Sequence, residues 1–207
     1  TNTAGDGQGG TDKLYNIEGV YGTGFADTLV GDAANNRLEG RGGNDSISGG
    51  LGKDTLLGGS GNDTLYGGTG DDSIWAEAGN DRIYGGAGND RLIGGAGADT
   101  FVWLKGDTNT SGGFDRITDF KHGEGDKLDL SDLLQGNNDN NLSKYLQLTT
   151  DSSGTSTLSV SSTGSFTASG GGTADVTIKV DGANWGAGSS AINNLIAGGD
   201  LTVKHHD

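Results

Sequence analysis

The chain has no cysteine, which excludes a disulfide framework and a thiolate metal site and leaves oxygen donors as the main metal chemistry. Positive charge is scarce. Thirteen Lys and Arg stand against 28 Asp and Glu, a net charge of -15, so there is no basic stripe to neutralise nucleic-acid phosphates. Large apolar residues are also few. Leu, Ile, Val and Phe supply 40 of 207 residues, just under the level of about 20% below which a strongly charged chain is expected to stay unfolded. No apolar run approaches the length of a membrane span and no charged-then-apolar leader opens the sequence, which begins at Thr1 and reads as a fragment of a longer parent. Composition alone predicts a chain that is unfolded without a counterion, and a small secreted unit without disulfides needs some such staple.

Glycine, in contrast, is abundant, with 43 residues, and it recurs in phase. From Gly22 to Val102 nine nonapeptides follow one another without insertion, from GTGFADTLV through GGSGNDTLY and GGTGDDSIW to GGAGADTFV. Position eight is Leu29, Leu38, Ile47, Leu56, Leu65, Ile74, Ile83, Leu92 and Phe101, never polar. A linker has no reason to keep that residue apolar nine times running, so the flexible low-complexity reading fails. A short strand with its middle side chain pointing inward accounts for positions seven to nine. The Gly-rich six residues before it make a turn that needs positive φ and close backbone approach. Each copy is thus expected to be a turn plus a three-residue strand.

One such unit cannot bury its single apolar side chain alone, so the copies must stack, two per coil, with each copy under the one two copies later. The odd turns then align Asp27, Asp45, Asp63, Asp81 and Asp99 on one edge, and the even turns align Asn36, Asp54, Asp72 and Asp90 on the other. Position nine faces outward, yet it runs from Val30, Glu39 and Ser48 to Leu57, Tyr66, Trp75, Tyr84, Ile93 and Val102. That apolar stripe is expected to need cover, from the C-terminal segment or from a partner.

After Leu104 the period ends. FDRITDF at 114–120 reads as a strand, and GDKLDLSDLLQG from Gly125 reads as a strand leading into a helix capped by Ser131 and stopped at Gly136. TLSVS from Thr157 and VTIKV from Val176 read as two further strands, Ser190 as the cap of a helix AINNLIA stopped at Gly198, and LTV as a last strand. The expected architecture is all-β: a lead-in at 1–21, a parallel β-roll at 22–104, and a small mixed, mainly β, C-terminal capping domain at 105–207.

The turns offer one carboxylate each and backbone carbonyls that glycine leaves accessible. That oxygen-only environment suits Ca²⁺, which takes six to eight oxygens at about 2.3–2.6 Å. Ions between stacked turns also cancel the repulsion of the Asp columns. The copies from Gly49 to Ile74 resemble the GGxGxDxUx pattern of RTX proteins almost letter for letter. The later text DRITDF, EGDKLDLSDLL and SSAINNLIAGGDLTV resembles the C-terminal target region of type I secretion substrates, especially large bacterial adhesins. Carried over residue by residue, the resemblance implies ligands at Asp45, Asp54, Asp63, Asp72, Asp81, Asp90 and Asp99, with Asp27 at the end of the column. Backbone positions Gly49, Gly52, Gly58, Gly61, Gly67, Gly70, Gly85, Gly88, Gly94 and Gly97 complete the implied set. About five to seven ions are expected, with at most four gaps on the odd edge and three on the even edge.

The first two copies depart from the pattern, since Phe25 and Ala34 replace turn glycines and Asn36 replaces the Asp; that end is expected to be weakly metallated or merely capped. AEAGND lacks Gly-Gly, although its Glu77 adds a carboxylate. DTNTSG from Asp107 resembles the start of an EF-hand loop, but its twelfth position is Thr118 rather than Glu, which favours an ordinary turn. GDGQGG at 5–10 satisfies GxGxxG without a preceding strand, and His122, His205 and His206 lack HExxH spacing. With no GxSxG either, no catalytic centre is expected. What the resemblance implies is a secreted, cell-surface module that folds on calcium and engages the type I secretion machinery through its C-terminal segment. Its parent would be an adhesin that carries any adhesion ligand upstream; the alternative parent is a secreted metalloprotease or lipase.

Overall fold

A computed structural model describes residues 11–13, 19–109, 112–134, 142–164, 166 and 173–203. GDGQGG, Gly136, His205 and His206 lie outside the described residues. The lead-in and the repeats form strands β1 (Thr11–Lys13), β2 (Gly19–Tyr21), β3 (Thr28–Val30), β4 (Arg37–Gly42), β5 (Ser46–Leu51), β6 (Thr55–Ser60), β7 (Thr64–Thr69), β8 (Ser73–Ala78), β9 (Arg82–Ala87), β10 (Arg91–Ala96) and β11 (Thr100–Val102). Beyond them come β12 (Asp115–Ile117), β13 (Lys127–Asp129), β14 (Leu146–Thr150), β15 (Ser156–Val160), β16 (Val176–Val180), the helix α1 (Gly188–Gly198) and β17 (Leu201–Thr202).

Up to β13 the strands divide by parity into two sheets, one ordered β1-β3-β5-β7-β9-β11-β13-β17 and the other β14-β15-β16-β12-β10-β8-β6-β4-β2. Pairing is parallel throughout the repeats, and each residue pairs with the one eighteen later, as in Leu65↔Ile83 and Leu56↔Ile74. The fold is therefore an all-β parallel β-roll. Position eight fills the space between the sheets, and from Ile47 to Phe101 none of these side chains has any exposed surface. Burying such a side chain contributes about 1.5–3 kcal/mol, and the copies stacked on either side provide the apolar surroundings.

From β4 to β10 the strands have six residues rather than the expected three. Positions two and three of the next copy pair as well, as Gly50↔Gly68 and Leu51↔Thr69 do. Position one between them points inward and is buried, which only a small residue permits. The chain thus turns a corner while keeping its ladder bonds, and a reading based on one apolar residue per copy misses the second inward position.

The sheets do not end where the period does. β13 pairs with β11 and β12 with β10, so both sheets run on past Leu104, and one apolar core holds Val20 and Leu201 alike. These strands join the sheet ends edge to edge. The outward stripe is only partly covered, with Val30 and Tyr66 exposed. Tyr66 and Tyr84 stack at 4.5 Å, and the Arg91 and Arg82 guanidiniums each lie 5.7 Å from the ring centres of Trp75 and Tyr84.

Among the described residues Ser131 caps no helix. It donates from its N–H and Oγ to Asp129 Oδ1, and among the described residues the segment makes a single turn closed by Leu134 N–H to Leu130 O. In α1 the cap position is Ala187, two residues before the first serine, with no side-chain cap. Gly199 rather than Gly198 takes the left-handed stop at φ 85. β14 completes an antiparallel meander with β15 and β16.

Candidate metal centres in the turns

Position four fixes the turn. Gly61 has φ 130, and a Cβ on it would stand 1.9 Å from Gly43 O. Gly70 repeats this against Gly52 O at 1.7 Å. Glycine there lets successive turns stack carbonyl against Cα, and Gly52, Gly88 and Gly97 share the positive φ.

Position six closes the turn inward. The Asp45 N–H donates to Asp63 Oδ1 at 2.8 Å, Asp63 to Asp81 at 2.7 Å and Asp81 to Asp99 at 3.0 Å. On the other edge Asp54 donates to Asp72 and Asp72 to Asp90. One oxygen of each carboxylate is thereby fixed by the backbone two copies earlier. The other oxygen, Oδ2, of Asp45, Asp54, Asp63, Asp72, Asp81, Asp90 and Asp99 is buried and has no hydrogen-bond partner.

At both ends of the columns the second oxygen does have a donor. Asp27 Oδ2 accepts from the N–H and Oγ1 of Thr23, and Asn36 Oδ1 accepts from Asp32 N–H. Beyond the repeats, Asp90 donates to Asp115 Oδ1, whose Oδ2 accepts from Trp103 Nε1 at 2.7 Å. Asp99 donates to Asp126 Oδ1, whose Oδ2 accepts from Lys121 N–H. Asp115 and Asp126 are missing from the sequence-based set, although DRI at 115–117 and DKL at 126–128 repeat the Asp, basic, apolar order of DRI at 81–83. Their irregular spacing hid them from a search for a fixed period. Asp27 belongs to the odd column by position but is sealed by its own turn. Asp107 accepts from Leu104 N–H, and Asn109, two residues on, bridges Gly88 O and Asp115 Oδ1, so this turn buttresses the even column.

Burial dominates the electrostatics. It pushes Asp45 and Asp99 up to about 6, Asp72 and Asp81 up to about 7, and Asp90 up to about 8 with the neighbouring Asp115 adding repulsion. Asp54 and Asp63 are raised for the same first reason. A site that raises carboxyl pKa values in this way lacks positive charge.

Among the described residues no three acidic or histidine side chains converge, so any cation held here relies on backbone oxygen as well. That oxygen is in place. A Cβ on Gly49 would stand 2.3 Å from Asp54 Oδ2 and 2.6 Å from Gly67 O, and one on Gly67 2.5 Å from Asp72 Oδ2 and 2.4 Å from Gly85 O. Position one is thus where a carboxylate oxygen and a carbonyl of the next turn but one approach each other. Orphaned carboxylate oxygens beside carbonyls, with no nitrogen or sulfur donor, fit a hard divalent cation.

A roll of nonapeptides with a carboxylate column on each edge defines a class of calcium-binding solenoid, and the sequence comparisons agree. A family model described as the RTX calcium-binding nonapeptide repeat (4 copies) matches residues 21–56, 57–92 and 66–101. Residues 21–101 are RTX calcium-binding repeats, which implies the context of an extracellular, secreted protein. Similar solved structures include the R3 subunit of the mannuronan C5-epimerase AlgE6 of Azotobacter vinelandii, at 26% identity, over 78% of this chain and 74% of that one, with a TM-score of 0.32. The R2 subunit of the same enzyme is similar at 22% identity, over 91% of this chain and 94% of that one, with a TM-score of 0.37. No curated protein matches the sequence. Among the described residues no helix is long and apolar enough to cross a membrane.

Proposed function

We propose that Ca²⁺ enters between turns stacked two copies apart and that this uptake folds the roll once the chain is outside the cell. The observation that carries the reading is the set of seven buried carboxylate oxygens without a donor. Each desolvated acceptor costs about 1–3 kcal/mol, so seven together rival the 5–15 kcal/mol that typically holds a domain folded. Calcium, when bound, supplies the positive charge that these oxygens lack. The chain does the rest: the Asp N–H ladder fixes each Oδ1, leaves Oδ2 free toward the gap, and ends on protein donors at both edges. Seven such oxygens support the expectation of about five to seven ions.

Cell interiors hold little free calcium, whereas extracellular modules with Kd of about 10⁻⁴ to 10⁻³ M fill outside. In this reading the chain is exported open through the type I secretion machinery, which reads the C-terminal segment. It forms the non-catalytic end of a cell-surface adhesin whose ligand-binding parts lie upstream. Support for the adhesin comes from the LDLSDLL and INNLI text, and the parent sequence upstream decides between tandem Ig-like repeats and an HExxH or GxSxG enzyme. Circular dichroism tests the folding step. At about pH 8 a spectrum without β-structure in excess chelator that becomes β-rich in millimolar calcium is expected, and folded β-structure in chelator at that pH would overturn it.

A further inference from the structure

Eight of the nine copies open with glycine, and Ala76 is the exception. In the glycine copies the place of a Cβ is already taken. It lies 2.1 Å from Asp45 Oδ2 at Gly40, 2.6 Å from Asp63 Oδ2 at Gly58, and 2.4 Å from Asp90 Oδ2 and Asp99 Oδ2 at Gly85 and Gly94. Gly40 and Gly58 add the carbonyls of Gly58 and Ala76 at 2.7 and 2.6 Å. Real carbon atoms stay beyond about 3 Å from such oxygens. Ala76 has a methyl there, in a strand whose register places it opposite Gly94, and it is fully buried. By equivalence with Gly58, where a Cβ would face Asp63 Oδ2 and the Ala76 carbonyl, the Ala76 methyl takes the place that faces Asp81 Oδ2 and the Gly94 carbonyl.

We propose that Ala76 closes the cation position of Asp81, so that the odd column is interrupted, with Asp45 and Asp63 on one side and Asp99 on the other. The inference rests on calcium binding between the turns. An ion that needs six or more oxygens at about 2.3–2.6 Å cannot share its inner shell with a methyl, and the two oxygens can no longer converge. Glu77 does not restore the position. It is exposed at φ 77 and its charge adds to the field at Asp63, in the preceding gap, whereas Asp81 feels Asp99 and Asp63.

The test compares the full chain with Ala76→Gly, a change to the residue that the other copies carry. Bound calcium is counted by equilibrium dialysis, and its positions are read from anomalous diffraction of calcium-soaked crystals. The expected result is one more ion in Ala76→Gly, located between Asp81 and Gly94, and no ion there in the parent. Equal counts with an ion beside Asp81 in the parent, or no gain in Ala76→Gly, overturns the closure while leaving the other sites standing. A parent that binds no calcium at any position removes the calcium reading and this inference together.

Discussion

Glycine at position four is the least replaceable residue of the repeat, because φ and space exclude a side chain together. Gly70→Ala puts a Cβ 1.7 Å from Gly52 O at φ 125. It is expected to cost more than about 1 kcal/mol in calcium-saturated urea unfolding. Thr69→Ala, one residue earlier and exposed, is expected to stay within about 0.5 kcal/mol. Asp63 and its equivalents were legible because carboxylates that recur every ninth residue stack eighteen apart on each edge and repel one another unless a cation sits between them. Asp115 and Asp126 were not, because what marks them is the hydrogen bond they accept from Asp90 and Asp99, and their spacing follows no period. The buried indole of Trp103 belongs with them. Trp103→Phe leaves Asp115 Oδ2 without its donor and is expected to destabilise by about 1–3 kcal/mol, read from the same unfolding curves.

A single rung is the unit of packing. Leu65 sits between Ile47 and Ile83 in its own sheet and has no exposed surface. Leu65→Ala is expected to cost about 2–5 kcal/mol in calcium-saturated denaturation, through the lost transfer energy and the cavity left behind. The apolar residue at position eight announced the rung, its parity and its partner, so sheet order was readable from sequence. Strand length was not. The inward position one is filled by glycine, which has no hydrophobic signature, and its burial follows from the corner. The Ser131 cap failed for a local reason, since Asp129, two residues earlier, accepts from the Ser131 N–H and Oγ and so takes the acceptor role of a cap itself.

For the whole molecule the carboxylate columns set the response to pH. Folding raises Asp45, Asp72, Asp81, Asp90 and Asp99 to about 6 to 8, above the value of about 4 of an unfolded Asp. The folded chain therefore binds more protons than the unfolded one. Without calcium, this contribution to stability is fully present below about pH 4 and is lost as pH rises through 6 to 8. Chelator-treated protein is expected to gain β-structure, read by circular dichroism, on acidification from pH 8 to 5. No gain across that window would count against the burial of these carboxylates.

Pairing at an interval of eighteen residues gives the roll an arithmetic of its own. Inserting two nonapeptides adds one coil and leaves every side chain in its column. Inserting one moves everything upstream to the opposite sheet, so that former odd carboxylates line up above Asp115 and former even ones above Asp126. The two terminators are built differently, one around an indole and an asparagine and the other around a backbone N–H. Such a roll lengthens or shortens without loss only in even numbers of copies.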